Sequence, residues 1–302
     1  MRNTVVNKIF EYAKKNRNMF FITGDAGFGV LDSYQKELPD RYLNLGVAEQ
    51  NMMSFAAGLG LAGFRPVVYN IVPFMLYRCY EQVRNDICYQ RLPAILIGIG
   101  TGVTYAPGGI THYSVEDIAI ARTLPNLTIL SPIDPLEARE CVEFAIKCKG
   151  PVYIRIAKAG DGNIHERRVR SILDPIMLKH GKDIAVIFHG SVGSEVVKAI
   201  DSMPFAPMVI STPMLVPMNF NALGKKLKNI RTVITVEEHY TEGGLGSIMA
   251  EWIARSKMPQ KLIKLGIKNE FIHTIRDTAG MRDAYGFSAD KIKRAIKKAY
   301  DK

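Results

Sequence analysis

No two of the four cysteines, Cys79, Cys88, Cys141 and Cys148, form a CxxC pair, and no cluster of histidines accompanies them. Zinc ligation draws on closely spaced thiolates and imidazoles, so a metal role is set aside and the four read as buried reduced thiols. Long apolar runs are missing too. Residues 2–18 mix polar and apolar side chains without the h-region of a secretory signal. The apolar run at 93–100 is far too short to cross a bilayer. A cytoplasmic protein with no membrane partner is expected. The net charge of +11 comes without a helix-turn-helix, RNA-binding or zinc-finger pattern. Its local groups, Lys225 to Lys228 and Lys291 to Lys298, are few. The second lies on a helix whose other face is Ile292, Ala295, Ile296 and Ala299, as expected of a solvated surface. No nucleic-acid partner is expected. The excess charge better suits anionic metabolites or an acidic partner subunit.

What is present is an alternation of short apolar strands and helices. The 302 residues, 47% hydrophobic and 23% charged, leave room for two domains with separate cores. In the first half the patterning predicts helices over 4–15, 49–62, 75–89, 114–123 and 135–147. Strands are predicted over 19–23, 66–69, 94–99, 127–131 and 152–156. From about 157 to 181 the chain turns polar and Gly-containing. A second series follows, with strands at 183–189, 208–211, 232–237 and 261–265 and helices at 194–201, 246–254 and the C-terminus. Apolar strands separated by helices imply parallel sheets covered on both faces. The expected fold class is α/β: two doubly wound domains over 1–165 and 182–302, each a mostly parallel sheet with helices on both faces, joined by a linker over 166–181.

The most informative segment is Gly46-Val47-Ala48-Glu49-Gln50-Asn51. Its acid opens a helix that continues with the small residues Ser54, Ala56, Ala57 and Gly58. A carboxylate there also benefits from the positive end of the helix dipole, so taken alone it could be no more than a helix-start acid. The surroundings add to it. Arg78-Cys79-Tyr80-Glu81-Gln82-Val83 heads another helix, and Thr111-His112 precedes Ser114-Val115-Glu116-Asp117. Further on stand Ser131-Pro132-Ile133-Asp134, Val236-Glu237-Glu238-His239 and Gly243-Gly244-Leu245-Gly246. In this order, over about 290 residues, these segments resemble the pyrimidine-binding and C-terminal domains of transketolases and deoxyxylulose-phosphate synthases.

The resemblance implies a thiamine-diphosphate enzyme with Mg²⁺. Glu49 is implied as the catalytic and cofactor-binding acid that protonates N1′ of the aminopyrimidine, so that the cofactor's own 4′-imino group can take the proton from the thiazolium C2. In the family an aromatic ring stacks on the aminopyrimidine. Counting back from Arg78 puts Met75 at that place, with Phe74 beside it, and the choice between the two stays open. Asp25, in Thr23-Gly24-Asp25, is the transketolase-like acid that could order the cofactor site or simply cap its loop. His112 is implied over the reacting carbons, where it can hydrogen-bond a developing alkoxide. Arg78 and Lys158 join it as candidate substrate contacts.

Several positions depart from the family. Gly108 stands where the family has an Asp four residues before the histidine. Gly100 replaces a transketolase histidine, Gly29 a phosphate-binding serine and Lys158 a phosphate-binding arginine. Fewer groups grip a short sugar phosphate, and the glycines are expected to open space for a larger or differently substituted sugar. Gly160-Asp161-Gly162-Asn163 resembles the start of a metal-diphosphate motif but falls in the expected linker, followed by Glu166-Arg167-Arg168, and reads as a turn. A diphosphate site is therefore expected from a separate N-terminal transketolase subunit, with this chain forming a homodimer within a heterotetramer. The leading expectation is the pyrimidine-domain subunit of a split transketolase moving a two-carbon ketol unit between sugars. The alternatives are a 2-oxo-acid-using carboligase or dehydrogenase β subunit, and a non-catalytic regulatory subunit on the same fold.

Overall fold

In the computed structural model, residues 1–158 and 162–301 are described. Gly160 and Asp161 of the diphosphate-like motif lie outside them. The first-half strands are β1 Met19–Thr23, β2 Tyr42–Asn44, β3 Arg65–Ile71, β4 Ile95–Ile99, β5 Thr128–Leu130 and β6 Val152–Ile156. They are followed by β7 Ile176–Lys179, β8 Asp183–Phe188, β9 Met208–Ser211, β10 Met214–Val216, β11 Ile230–Tyr240 and β12 Lys261–Ile267. Among the described residues these strands build two sheets. One runs β10-β5-β6-β4-β3-β1-β2 and the other β12-β11-β8-β9-β7. Pairing is parallel except where β10 meets β5 and β7 meets β9, each at a sheet edge. Both sheets carry helices, so the fold is α/β and doubly wound.

The central strands are buried on both faces: every residue of the apolar β4 is buried, and so is every residue of β6, Arg155 included. Helix Arg2–Lys15 turns Val5, Val6, Ile9 and Ala13 inward and packs beside helix Pro135–Lys147, where Lys8 pairs with Glu143 at 2.5 Å. Helix Pro135–Lys147 starts at Asp134, whose side chain accepts from the Glu137 N–H at 2.8 Å.

Four differences from the sequence expectation have physical causes. The strands β2 and β10 are three residues long, too short for a period to register. Edge strand β7 lies within the span expected as linker; it is only half-buried and pairs antiparallel on β9, so its pattern is weak. The helix expected over 75–89 runs over 73–88 with wide π turns on either side of Tyr80–Gln82. The Arg78 N–H reaches back five residues to the Pro73 carbonyl at 3.0 Å. The helix expected over 114–123 shrinks to Asp117–Ala121, because Ser114 pairs with Gly102 across the preceding loop instead.

The two halves share core. One buried cluster joins Val68, Met75, Leu96 and Ile118 of the first half to Ala185, Ile210, Leu215, Met218 and Leu245 of the second. The carboxyl ends of β1, β2, β3, β4 and β6 deliver the loops that begin at Gly24, Leu45, Val72, Gly100 and Ala157, and these loops carry the candidate residues.

Candidate active site

The loops after β1 and β2 are held to each other by Asn44. Its side-chain oxygen accepts from the Asp25 N–H at 2.8 Å and the Gly46 N–H at 3.0 Å. Asp25 itself has φ +53°, tolerable for Asp in a tight turn, and its side chain is exposed. Gly46, at φ +66°, lets the chain reverse into helix Glu49–Leu61. Glu49 is the first residue of that helix, yet only 4% of it is exposed. Arg78 Nη1 donates to its Oε2 at 2.8 Å. No hydrogen bond to Oε1 is made among the described residues.

From Arg78 the contacts continue without a break. Its guanidinium lies 4.7 Å from the Phe74 ring centroid, and the Phe74 ring meets His112 edge-on at 5.4 Å. His112 in turn leans on Tyr105 at 5.2 Å, and Lys158 Nζ sits 4.0 Å above the Tyr105 ring. The order is therefore carboxylate, guanidinium, phenyl, imidazole, phenol ring, ammonium. Cations over aromatic faces are favourable by roughly 0.5–2 kcal/mol, so each ring orients the charge beside it. Glu49, Phe74, Arg78, His112 and Lys158 are brought together. Asp25 stands at the same sheet edge, tied in through Asn44. Met75 has no exposed surface and belongs to the core, so of the two neighbours only Phe74 presents a ring to the site.

His112 is fixed by its loop. The Thr111 hydroxyl lies 2.7 Å from its Nδ1, and its N–H bonds the Gly109 carbonyl at 3.0 Å. Two of the glycines expected to open space do not. A Cβ on Gly108 would come within 2.7 Å of His112, and one on Gly100, where φ is +83°, within 2.7 Å of Tyr105. Their missing side chains make room for the site's own rings. Gly29, at φ +72°, has nothing near it and does leave open space.

The second half braces this loop from behind. The Tyr240 N–H donates to the Val115 carbonyl at 2.7 Å, and the Ala119 N–H to His239 Nε2 at 3.3 Å. That bond leaves Nδ1 as the protonated nitrogen of His239, which donates to its neighbour's carbonyl. Glu238 packs beside Gly102 and pairs with Arg282 at 2.5 Å. Glu237 accepts from the Leu245 and Gly246 N–H groups, capping helix Leu245–Arg255. Beneath the loop, Arg155 and Asp117 form a completely buried pair through two bonds of 2.7 and 2.9 Å, and Tyr153 donates to Asp117 at 2.8 Å. Burial alone would raise the Asp117 carboxyl. The Arg155 charge and these bonds outweigh it and hold the group below its usual range. Burial pushes the thiol of Cys79, next to Arg78, up to about 12, and the Glu49 charge adds to this, so it supplies no thiolate.

Asn44 and Tyr105 escaped the sequence reading, and Thr111 entered it only as part of the loop motif, without its contact to His112. Tyr105 lies seven residues from His112 in one loop, but only the fold of that loop turns its ring onto Gly100. The sole signal for Asn44 was its place just before the Gly46 turn.

The family model for the transketolase pyrimidine-binding domain matches residues 1–160, and that for the transketolase C-terminal domain matches residues 176–292. The chain is 33% identical over 297 residues to an apulose-4-phosphate transketolase subunit of Actinobacillus succinogenes, covering 97% of this chain and 96% of that one. It is 30% identical over 291 residues to a 1-deoxy-D-xylulose-5-phosphate synthase of Methylacidiphilum infernorum, covering 93% of this chain but 45% of that one. Among solved structures, a split-gene transketolase described as an inactive β4 tetramer superposes with a TM-score of 0.87 at 28% identity, covering 99% of this chain and 97% of that one.

Proposed function

The chain belongs to the transketolase family, and from that premise we propose that it is the pyrimidine-domain subunit of a split thiamine-diphosphate enzyme transferring a ketol unit between sugars. The observation that carries this reading is Glu49: a buried carboxylate with one oxygen paired to Arg78 and the other without a hydrogen bond among the described residues. A buried acid of that kind is a liability unless something completes it. An aminopyrimidine would complete it: the unused carboxylate oxygen would take N1′, and Phe74 would offer a ring surface. Thiamine diphosphate, when bound, supplies a carbanion at the thiazolium C2 that can attack a ketose carbonyl.

The roles of this chain's residues follow from their places. Glu49 holds the proton shared with N1′. His112, with Nδ1 against Thr111, has Nε2 available to hydrogen-bond the sugar oxygen on which charge develops. Lys158, steadied over Tyr105, is the cation for an anionic group of the sugar. Asp25 would stand exposed beside the cofactor, in the loop that Asn44 orders. The diphosphate and Mg²⁺ would be held by a separate N-terminal subunit, as the names of the Actinobacillus succinogenes and split-gene relatives suggest. The exposed Phe28, Val47, Phe55 and Leu61 offer apolar surface for that subunit and for a second copy of this chain. The name of the Actinobacillus succinogenes relative supports a phosphorylated sugar as substrate. The synthase relatives are the ground for a second reading, a 2-oxo-acid donor at the same Glu49.

Glu49→Gln in the complex with the partner subunit tests the first reading. Proton exchange at C2 of the bound cofactor should slow by roughly two to four orders of magnitude, with fold and assembly unchanged. Near-normal exchange would reduce Glu49 to a helix-start acid. A comparison of ketose phosphates with 2-oxo acids as donors separates the two donor classes.

A further inference from the structure

The geometry points to Arg78 as a positioning residue for the proton on Glu49, in place of the substrate contact expected from sequence. The inference rests on Glu49 being the partner of N1′. Arg78 is the cation hydrogen-bonded to Glu49 among the described residues, and it takes Oε2 alone. The π turn that starts at Pro73 sets its direction, and the Phe74 ring supports the guanidinium from one side. Its side chain is 46% exposed against 4% for Glu49. The guanidinium thus keeps much of its hydration while neutralising a carboxylate that has almost none, which makes the pair cheaper than one buried at both ends.

Two consequences follow. With Oε2 tied, the carboxyl group cannot rotate freely and leaves Oε1 alone to meet N1′. When Glu49 gives its proton to N1′, the charge left on the buried carboxylate is already paired. Without Arg78 that charge would stand alone on a buried carboxylate. Lysine would restore the charge but not the planar group that spans carboxylate and ring face.

The experiment is equilibrium binding to the complex with the partner subunit, using thiamine diphosphate and an analogue in which carbon replaces N1′. Wild type should prefer the true cofactor, and Glu49→Ala, which leaves no hydrogen-bond partner for N1′, should erase the preference. Arg78→Met should cut the preference by about tenfold while leaving the affinity for the analogue within about twofold. Arg78→Lys should fall between Met and wild type. Equal weakening of both ligands by Arg78→Met would show a general structural role, and no change in either would return Arg78 to the substrate; both overturn the inference. If Glu49→Ala leaves the preference intact, the assignment of Glu49 itself fails. If it erases the preference and Arg78→Met does not, only the role of Arg78 fails.

Discussion

At the scale of single residues, the site works by restricting side chains that would otherwise be mobile. Lys158 has a long flexible stem, and the Tyr105 ring gives its ammonium a place to rest. The ring face carries that contact, not the hydroxyl. Tyr105→Phe should therefore keep KM for an anionic sugar within about twofold. Tyr105→Leu should raise it by roughly three- to tenfold, the loss of a partly desolvated cation–ring contact, with a smaller change in kcat. Steady-state kinetics of the reconstituted complex decide between ring and hydroxyl; equal effects of both variants would contradict this account. Gly108 makes a second residue-scale prediction. Its Cβ would meet His112 at 2.7 Å, so Gly108→Ala should displace the imidazole. We expect kcat to fall by about ten- to a hundredfold with the melting temperature nearly unchanged, measured by kinetics and calorimetry on one preparation. An unaffected kcat would mean that the imidazole's present position is not needed.

At the scale of elements, the loop over 100–116 that carries His112 is held from three sides: by its own Gly102–Ser114 pairing, by the end of β11, and by the Arg155–Asp117 pair beneath it. Removing one partner of a buried pair leaves the other charge uncompensated, so Asp117→Asn should cost about 3–5 kcal/mol. Its pH dependence has a definite sign. The folded carboxyl lies below its ordinary value, so its stabilisation is complete above the unfolded pKa of about 3.9 and is lost as the pH falls through the lower folded value. The stability gap between wild type and Asp117→Asn should accordingly be full at neutral pH and narrow only in acid, below that range. Denaturant titrations across pH would show it. A gap that closes near neutrality would point to another group.

At the scale of the whole molecule, the two sheets are not independent. Strand β10, from the second half of the chain, completes the edge of the first sheet against β5, and residues around it join the shared core. His189 reaches Ser131 across the same boundary at 2.8 Å. Unfolding should therefore be one cooperative transition in calorimetry, and a fragment ending before β7 should expose the β5 edge and aggregate. Two resolved transitions would show separate units. The same scale governs cofactor binding. This chain offers a carboxylate, a ring and an imidazole, and a diphosphate needs a metal and donors that the proposal assigns to another subunit. The purified chain alone should bind thiamine diphosphate weakly, and Mg²⁺ should not tighten it. Tight Mg²⁺-dependent binding in titration calorimetry would remove the need for a partner.

The sequence by itself determined the central strands, whose short, mostly apolar runs alternating with helices point to a sheet buried on both faces. It also determined the family, because Gly46 to Asn51, Arg78 to Val83 and Thr111-His112 keep their order and spacing along the chain. The resemblance of these segments marked Glu49, His112 and Lys158 as candidates. It could not say that Arg78 pairs with Glu49, that Tyr105 fills the space beside Gly100, or that Gly108 gives room to His112. Nor could it choose Phe74 over Met75, since adjacent apolar residues differ only in which way the π turn points them. Each of these depends on the direction of a side chain in a loop or irregular turn, where no period repeats. The three-residue strands β2 and β10 escaped for a related reason. Their pairing is fixed by long-range contacts with β1 and β5, and three residues carry too little pattern to announce it.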